Sequence, residues 1–238
     1  FLDRTQSKDG SWRARSGYGS YPTAMTALAG LGLMAGGNTP VEGKYSQNVR
    51  RAMDYLVLQG ERNKETGRIA VPSEEMRPMY GHGFATLFLA EVYGMTMRED
   101  VAKKLKLAVD LICRCQNDQG GWRYQPTKSS ADLSITICQI MALRAARDAG
   151  LHVPIEVRNK CLDYVKKSQN ADGSFRYTIS GGGGTFPLTA AGVTALHGVG
   201  IYSDEAIVAG VSYLRANLQQ FNQRWGRTRG GHYFFWYG

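Results

Sequence analysis

The chain has 238 residues, of which 43% are hydrophobic and 21% are charged, as is typical of a globular domain. No stretch is long and apolar enough to predict a membrane-spanning helix, and the four cysteines lack the spacing of metal ligands. Most of the basic residues behind the net charge of +9 fall on the polar sides of predicted helices, which leaves an anionic membrane surface open as a partner. No aromatic-plus-basic strip recurs, so no nucleic-acid-binding module is predicted.

Eight helices of two alternating kinds are predicted along the chain. The first kind is apolar on all sides, so each of these helices should be buried on every side. They are predicted over residues 20–36, 80–95, 131–149 and 186–199. The second kind is amphipathic and should have one face in solvent. These helices are predicted over residues 46–59, 99–115, 155–168 and 204–221. No run alternates with the period of a strand, so we predict an all-α fold with inner apolar and outer amphipathic helices.

A short phrase of glutamine, glycine and an aromatic residue recurs between these helices. It runs from Gln6 to Trp12, from Gln116 to Trp122 and from Gln169 to Phe175, and we assign a degenerate copy to Gln59 and the residues after it. The glutamines lie 53 or 57 residues apart, a period typical of stacked helical hairpins. We expect the glycine to form a turn, the glutamine to close an outer helix and the aromatic residue to fill the gap between hairpins.

This phrase resembles the QW motif of squalene–hopene cyclases and related triterpene cyclases, whose αα-toroid is shared by protein prenyltransferase β subunits. The chain is more similar to bacterial proteins with prenyltransferase/squalene oxidase repeats than to either group of enzymes. The resemblance covers essentially the whole chain and implies one αα-toroid domain over residues 1–238, with an inner and an outer ring of helices. Because fewer hairpins are recognisable than such toroids contain, we expect a partial ring of four to five hairpins, truncated at both ends.

The resemblance implies an acid at the start of an inner helix, but the cyclase pattern is incomplete. A class II cyclase has Asp-x-Asp-Asp-Thr there, whereas this chain has Asp132, Ser134 and Thr136 with an isoleucine between the last two. A serine hydroxyl cannot protonate an alkene. Asp132 and His82 are therefore only weak candidates for catalysis, with helix capping and a buried structural role as the simpler alternatives.

No metal site or cofactor is expected from the sequence. A prenyltransferase-like zinc site would need an aspartate, a cysteine and a histidine in a fixed pattern. Asp132, Cys138 and His197 are the nearest set, and their spacing does not match that pattern. No acidic cluster for a magnesium–diphosphate complex occurs either.

Aromatic and polar residues near the starts of the inner helices form the predicted ligand-binding set. If the inner helices begin at one mouth of a ring, these residues gather there and suit an apolar ligand with a few oriented polar groups. Filling the loops between hairpins is the alternative role. The set is Tyr80, His82, Trp122, Tyr124, Asp132, Phe186, Tyr233 and Trp236.

Three functions remain open at this stage, and neither enzymatic activity nor cellular location is decided. The first, which the missing acid pair favours, is a protein that binds an apolar, isoprenoid-like small molecule or a peptide. The second is a terpenoid cyclase or prenyltransferase-type enzyme whose acid lies outside this segment. The third is a polysaccharide-active toroid resembling pectate lyases, with Glu74 and Glu75 as exposed acids. An open ring would also expose apolar flanks of its end helices, which predicts self-association.

Overall fold

The structure, a computed structural model, describes residues 1–14 and 20–225, with side chains up to residue 219. Over these residues it is all-helical, with nine α-helices, one 3₁₀ turn at Pro72–Glu74 and isolated bridges in place of strands, which confirms the predicted all-α fold. The helices are α1 Leu2–Thr5, α2 Pro22–Ala35, α3 Ser46–Arg62, α4 Pro78–Thr96, α5 Glu99–Cys115, α6 Leu133–Asp148, α7 Ile155–Lys167, α8 Phe186–Gly198 and α9 Glu205–Trp225.

The chain divides into two compact units. The first comprises residues 1–115, 124–127 and 141–154, and in it α2 packs on α3 and α4 while α5 packs on α3 and α4. The second comprises, of the described residues, 116–123, 128–140 and 155–225, and in it α8 packs on α7 and α9. In each unit an apolar helix is thus covered by amphipathic ones, as the alternation of the two kinds predicts.

Helix boundaries follow the local sequence. Prolines stand in the first turns of α2, α4 and α8, where the missing N–H would have no partner within the helix. Thr185 caps α8 by accepting a hydrogen bond from Leu188 N at 3.3 Å. The amphipathic helix α3 buries Val49 and Leu56 on its apolar face and continues to Arg62, about one turn beyond its predicted end.

The inner helices are less enclosed than predicted. In α6, residues 133–140 are all buried, in agreement with the prediction. In α2, however, Met25 and Leu28 are only half-buried, and in α4 the same holds for Phe84 and Leu87. In α8, Leu188 and Val193 are also half-buried. The prediction of burial on every side was therefore wrong for α2, α4 and α8, because within each unit the neighbouring helices cover only part of each circumference.

The glutamine of the repeated phrase joins successive outer helices. In each of three copies its Nε2 donates to the carbonyl of the turn glycine and to a carbonyl in the first turn of the next outer helix. The distances are 2.9 and 3.0 Å for Gln6 to Gly10 O and Asn48 O, 2.9 and 2.8 Å for Gln116 to Gly120 O and Val157 O, and 3.1 and 2.8 Å for Gln169 to Gly173 O and Ala206 O. The carbonyl groups that a turn leaves without helix partners are satisfied in this way.

The aromatic residue of the phrase is bound to the inner helix that follows. In three copies its backbone N–H donates to a threonine hydroxyl fourteen residues later: Trp12 to Thr26, Trp122 to Thr136 and Phe175 to Thr189, at 2.9, 3.2 and 3.0 Å. Trp122 and Phe175 are fully buried. The phrase therefore connects an outer helix, the next outer helix and the intervening inner helix.

The degenerate copy begins at Asn63 rather than at Gln59, which corrects the assignment made from the sequence. Gly67 has φ of +78°, and a Cβ there would meet the backbone of Leu107 in α5, as the other turn glycines meet their outer helices. Counting back by the spacing of the other copies, Asn63 takes the place of the glutamine. Its shorter side chain donates to Gln59 O at 2.9 Å and Ala70 O at 3.0 Å, not to α5.

Candidate functional site

Asp132 lies fully buried at the start of α6, where it caps the helix. Its Oδ1 accepts hydrogen bonds from Ser134 Oγ at 2.5 Å and from Ile135 N at 2.9 Å. Its Oδ2 has no hydrogen-bond partner among the described residues and lies 3.6 Å from Arg123 Nε. These are the contacts of a helix-capping carboxyl group with a guanidinium nearby.

His82 is fully buried in α4, and its imidazole ring bonds to two backbone groups. Its Nδ1 accepts the N–H of Ile69 at 3.0 Å, so the ring proton lies on Nε2, which faces Ala108 O at 3.3 Å. Burial lowers the pKa of His82 to about 4, against a smaller upward effect of the bond to Ala108. His82 therefore takes the place of the threonine of the other copies, and both ring nitrogens are already bound.

An aromatic pair stands at the start of α4. The rings of Tyr80 and Tyr124 lie 6.0 Å apart at a tilt of 37°, and the guanidinium of Arg77 lies 4.8 Å from the centre of the Tyr124 ring. Along α4, Tyr80 is followed by Phe84 and Leu87, which are four and seven residues later and hence on the same side of the helix. All three are half-buried. We call Tyr80, Phe84, Leu87 and Tyr124 the α4 stripe.

The rest of the predicted ligand-binding set belongs to the second unit, to the core of the first unit, or to residues outside the described part of the chain. Trp122 and Asp132 are buried, and Phe186 is half-buried at the start of α8, all within the second unit. Tyr233 and Trp236 lie outside the described residues. In the first unit, Tyr80 and Tyr124 are in ring contact, whereas His82 is enclosed in the core.

The acids and thiols that other functions would use are occupied or enclosed. Glu74, expected to be exposed, is buried, and its Oε1 accepts the N–H of Thr23 at 2.8 Å, which corrects that expectation. Burial raises the pKa of the Glu74 carboxyl. Burial also raises the pKa of the Cys138 thiol far above its usual range, and the Asp132 charge adds to the effect. Among the described residues, no three histidine, cysteine or acidic side chains are grouped so as to hold a metal ion.

A pairing of arginine with tyrosine between successive copies was not foreseen from the sequence. Tyr124 O accepts the N–H of Met79 at 3.2 Å, and Tyr177 O accepts the N–H of Leu133 at 2.9 Å, so each tyrosine binds the start of an earlier inner helix. The Tyr177 ring lies 5.5 Å from the Arg123 guanidinium, much as Tyr124 lies near Arg77. The recurring Arg-Tyr dipeptide at 123–124 and 176–177 was the available signal.

Comparisons with known proteins add the family. Residues 82–215, more than half of the chain, match the sequence profile of a family described as the prenyltransferase alpha-alpha toroid domain. A search of curated proteins found no significant match. In the described part of the chain, no helix combines the length and hydropathy needed to cross a membrane.

Proposed function

Because the chain belongs to the prenyltransferase alpha-alpha toroid domain family, we propose that it binds an apolar, isoprenoid-like molecule along the α4 stripe. The observation that carries this proposal is the row of half-buried apolar side chains at Tyr80, Phe84 and Leu87, which have no charged residue among them. Glu91, the first charged residue of the row, is exposed one turn further along α4. The length of the apolar row favours an extended hydrocarbon.

The aromatic end of the stripe suits a ligand with a polar terminus. Tyr80 and Tyr124 place two aromatic rings there, and the guanidinium of Arg77 lies against Tyr124. Aromatic residues of this kind contribute apolar contact area together with hydrogen-bonding groups. The expected ligand is therefore an apolar chain that ends in a polar group, in preference to a fully hydrophilic peptide or a sugar.

Binding without cyclase chemistry is favoured by the state of the acids. Asp132 is engaged as a helix cap with Ser134, and His82 is engaged with two backbone groups. Glu74 is enclosed against α2, so it is not the exposed acid that a polysaccharide-active toroid would need. An active enzyme would therefore need an acid other than these residues.

Titration of the protein with farnesol and squalene tests the proposal. We expect saturable quenching of intrinsic fluorescence, and weakening by about tenfold or more in F84A, since burial of a phenyl ring contributes about 2 kcal/mol. Met76→Ala is the matched control, because Met76 is 84% exposed beside α4 but is not part of the stripe. Equal affinity of F84A and the wild type would contradict the proposal. Mass spectrometry of the same mixtures would show a cyclised or transferred product if the protein is an enzyme.

A further inference from the structure

A groove lined by two arginines lies beside the degenerate copy of the phrase, and we propose that it binds a small, doubly charged organic anion. The groove has a volume of about 510 Å³. It is lined by Gln59, Arg62, Asn63, Arg68, Ala70, Pro72 and Glu75. None of these residues belongs to the α4 stripe, so the proposal does not depend on binding of an apolar ligand there.

Arg62 provides an uncompensated positive charge at the groove. It is exposed in the last turn of α3, and its Nη1 donates to Gln59 Oε1 at 3.3 Å. In the described part of the chain no carboxylate forms an ion pair with it. A neutral amide leaves the charge of a guanidinium intact, so Arg62 can still attract an anion.

Arg68 provides a second guanidinium at the groove. Its Nη1 lies 3.0 Å from Glu75 Oε1, while its buried Nε has no hydrogen-bond partner among the described residues. Because that Nε is enclosed, the part of Arg68 that a ligand can reach is the end of the guanidinium that now faces Glu75. Glu75 is 58% exposed and can turn into solvent when a ligand oxyanion takes its place on Arg68.

The walls of the groove are held by hydrogen bonds. Gln59 is buried, and its Nε2 donates to Tyr55 O at 3.3 Å, which directs its oxygen toward Arg62. Asn63 ties Gln59 O to Ala70 O. On the opposite side, Gln125 Nε2 donates to Glu75 O at 2.8 Å. A site fixed in advance in this way loses little conformational entropy when a ligand binds.

Charge and volume together define the ligand. A guanidinium group can donate two parallel hydrogen bonds to the oxygens of a phosphate or carboxylate, and two guanidinium groups together suit a dianion. The volume falls within the range of small-molecule pockets and exceeds that needed by a bare ion. Ala70 and Pro72 add an apolar wall for a short carbon skeleton. The expected ligand is a phosphate monoester or a dicarboxylate, either free in solution or as a lipid headgroup.

Isothermal titration calorimetry of the full chain with glycerol 3-phosphate, succinate and neutral glycerol tests the proposal. We expect one or both anions to bind with one-to-one stoichiometry and glycerol not to bind. If only vesicles containing phosphatidic acid bind, with phosphatidylcholine vesicles as the blank, the source of the anion is a lipid headgroup. Absence of binding to both anions and to the vesicles would overturn the proposal.

Three variants localise the binding. Arg62→Gln should weaken it about tenfold or more, since a charge-assisted hydrogen bond is lost. Lys64→Gln removes the same charge from an exposed neighbour that does not line the groove, so it should change the affinity less than about twofold. Glu75→Gln removes the competing carboxylate and should tighten binding several-fold, an effect that misfolding cannot imitate. Equal losses in R62Q and K64Q, or weaker binding in E75Q, would overturn the site.

Discussion

At the scale of single residues, the four copies of the phrase use two kinds of side chain as the acceptor for one buried backbone N–H. A backbone N–H enclosed between helices needs an acceptor, and three copies provide a threonine hydroxyl for it. In the degenerate copy the acceptor is His82 Nδ1, and the second ring nitrogen reaches Ala108 O in α5. A histidine that looks like a catalytic candidate in the sequence is therefore a structural cross-link between the degenerate turn and α5.

The enclosed His82 should make stability depend on pH. Its pKa is lowered to about 4 in the folded chain from 6.5, so between these values the unfolded chain binds more protons. The stability that neutral His82 provides is thus complete above pH 6.5 and is lost as the pH falls toward 4, by about 3 kcal/mol in all. His82→Asn keeps an acceptor for Ile69 N but cannot titrate.

Urea unfolding at pH 7, 5.5 and 4.5 checks this prediction. H82N should be less stable than the wild type at pH 7 by about 1–3 kcal/mol, because the bond to Ala108 and the packing of the ring are lost. The difference should shrink on acidification. His152→Asn, at an exposed histidine, should keep the slope of the wild type. A constant difference between H82N and the wild type at all three pH values would contradict the prediction.

At the scale of elements, the turn glycines allow the backbone of each turn to pack directly against the backbone of the next outer helix. Gly120 has φ of +95°, and a Cβ there would run into the carbonyl of Lys160 in α7. Gly150, after α6, has a similar φ of +92° but only open space around it. Both glycines have a left-handed backbone conformation, but only Gly120 lies against another helix. A comparison of the two therefore separates the cost of the backbone conformation from the cost of the contact.

Alanine substitutions at these two glycines should have unequal costs. Gly150→Ala should lower the free energy of unfolding by about 1–2 kcal/mol, the cost of the left-handed conformation alone. Gly120→Ala should cost at least about 2 kcal/mol more, because two backbone segments must also move apart. Thermal unfolding followed by circular dichroism measures both, with about 2–4 °C of Tm per kcal/mol for a chain of this size. Equal shifts in Tm would show that the contact with α7 contributes nothing.

The sequence predicted where the helices lie. It did not predict at which residue the degenerate copy begins or which candidate site residues are buried. Periodic apolar residues and first-turn prolines indicated the helices, because these signals are local. Gln59 was mistaken for the phrase glutamine because α3 runs on to Arg62, which moves the turn to Asn63. The capping role of Asp132 was the simpler alternative already in the sequence, because it depends on local residues. The burial of Glu74 was not foreseen, because it depends on α2, which is distant in sequence.

At the scale of the whole molecule, exposed apolar side chains and net positive charge have opposite effects on self-association. The apolar side chains of α9 are unevenly buried: Ile207 is buried, while Val208 is 66% and Leu218 is 46% exposed. Exposed apolar side chains on one helix favour contact with a second copy. A net charge of +9 repels that copy at low ionic strength. We therefore propose that the chain associates with itself through α9 and that salt promotes the association.

Sedimentation velocity at low and high salt tests this balance. Charge repulsion is screened within about 3 Å at 1 M salt, against about 30 Å at 0.01 M, so the average mass should rise with protein concentration only at high salt. Val208→Lys should abolish the rise, because a charge would then enter the apolar contact. Gln119→Lys adds the same charge at an exposed turn and should leave the rise unchanged. A mass that stays monomeric at high salt and high protein concentration, or an equal effect of both variants, would contradict association through α9.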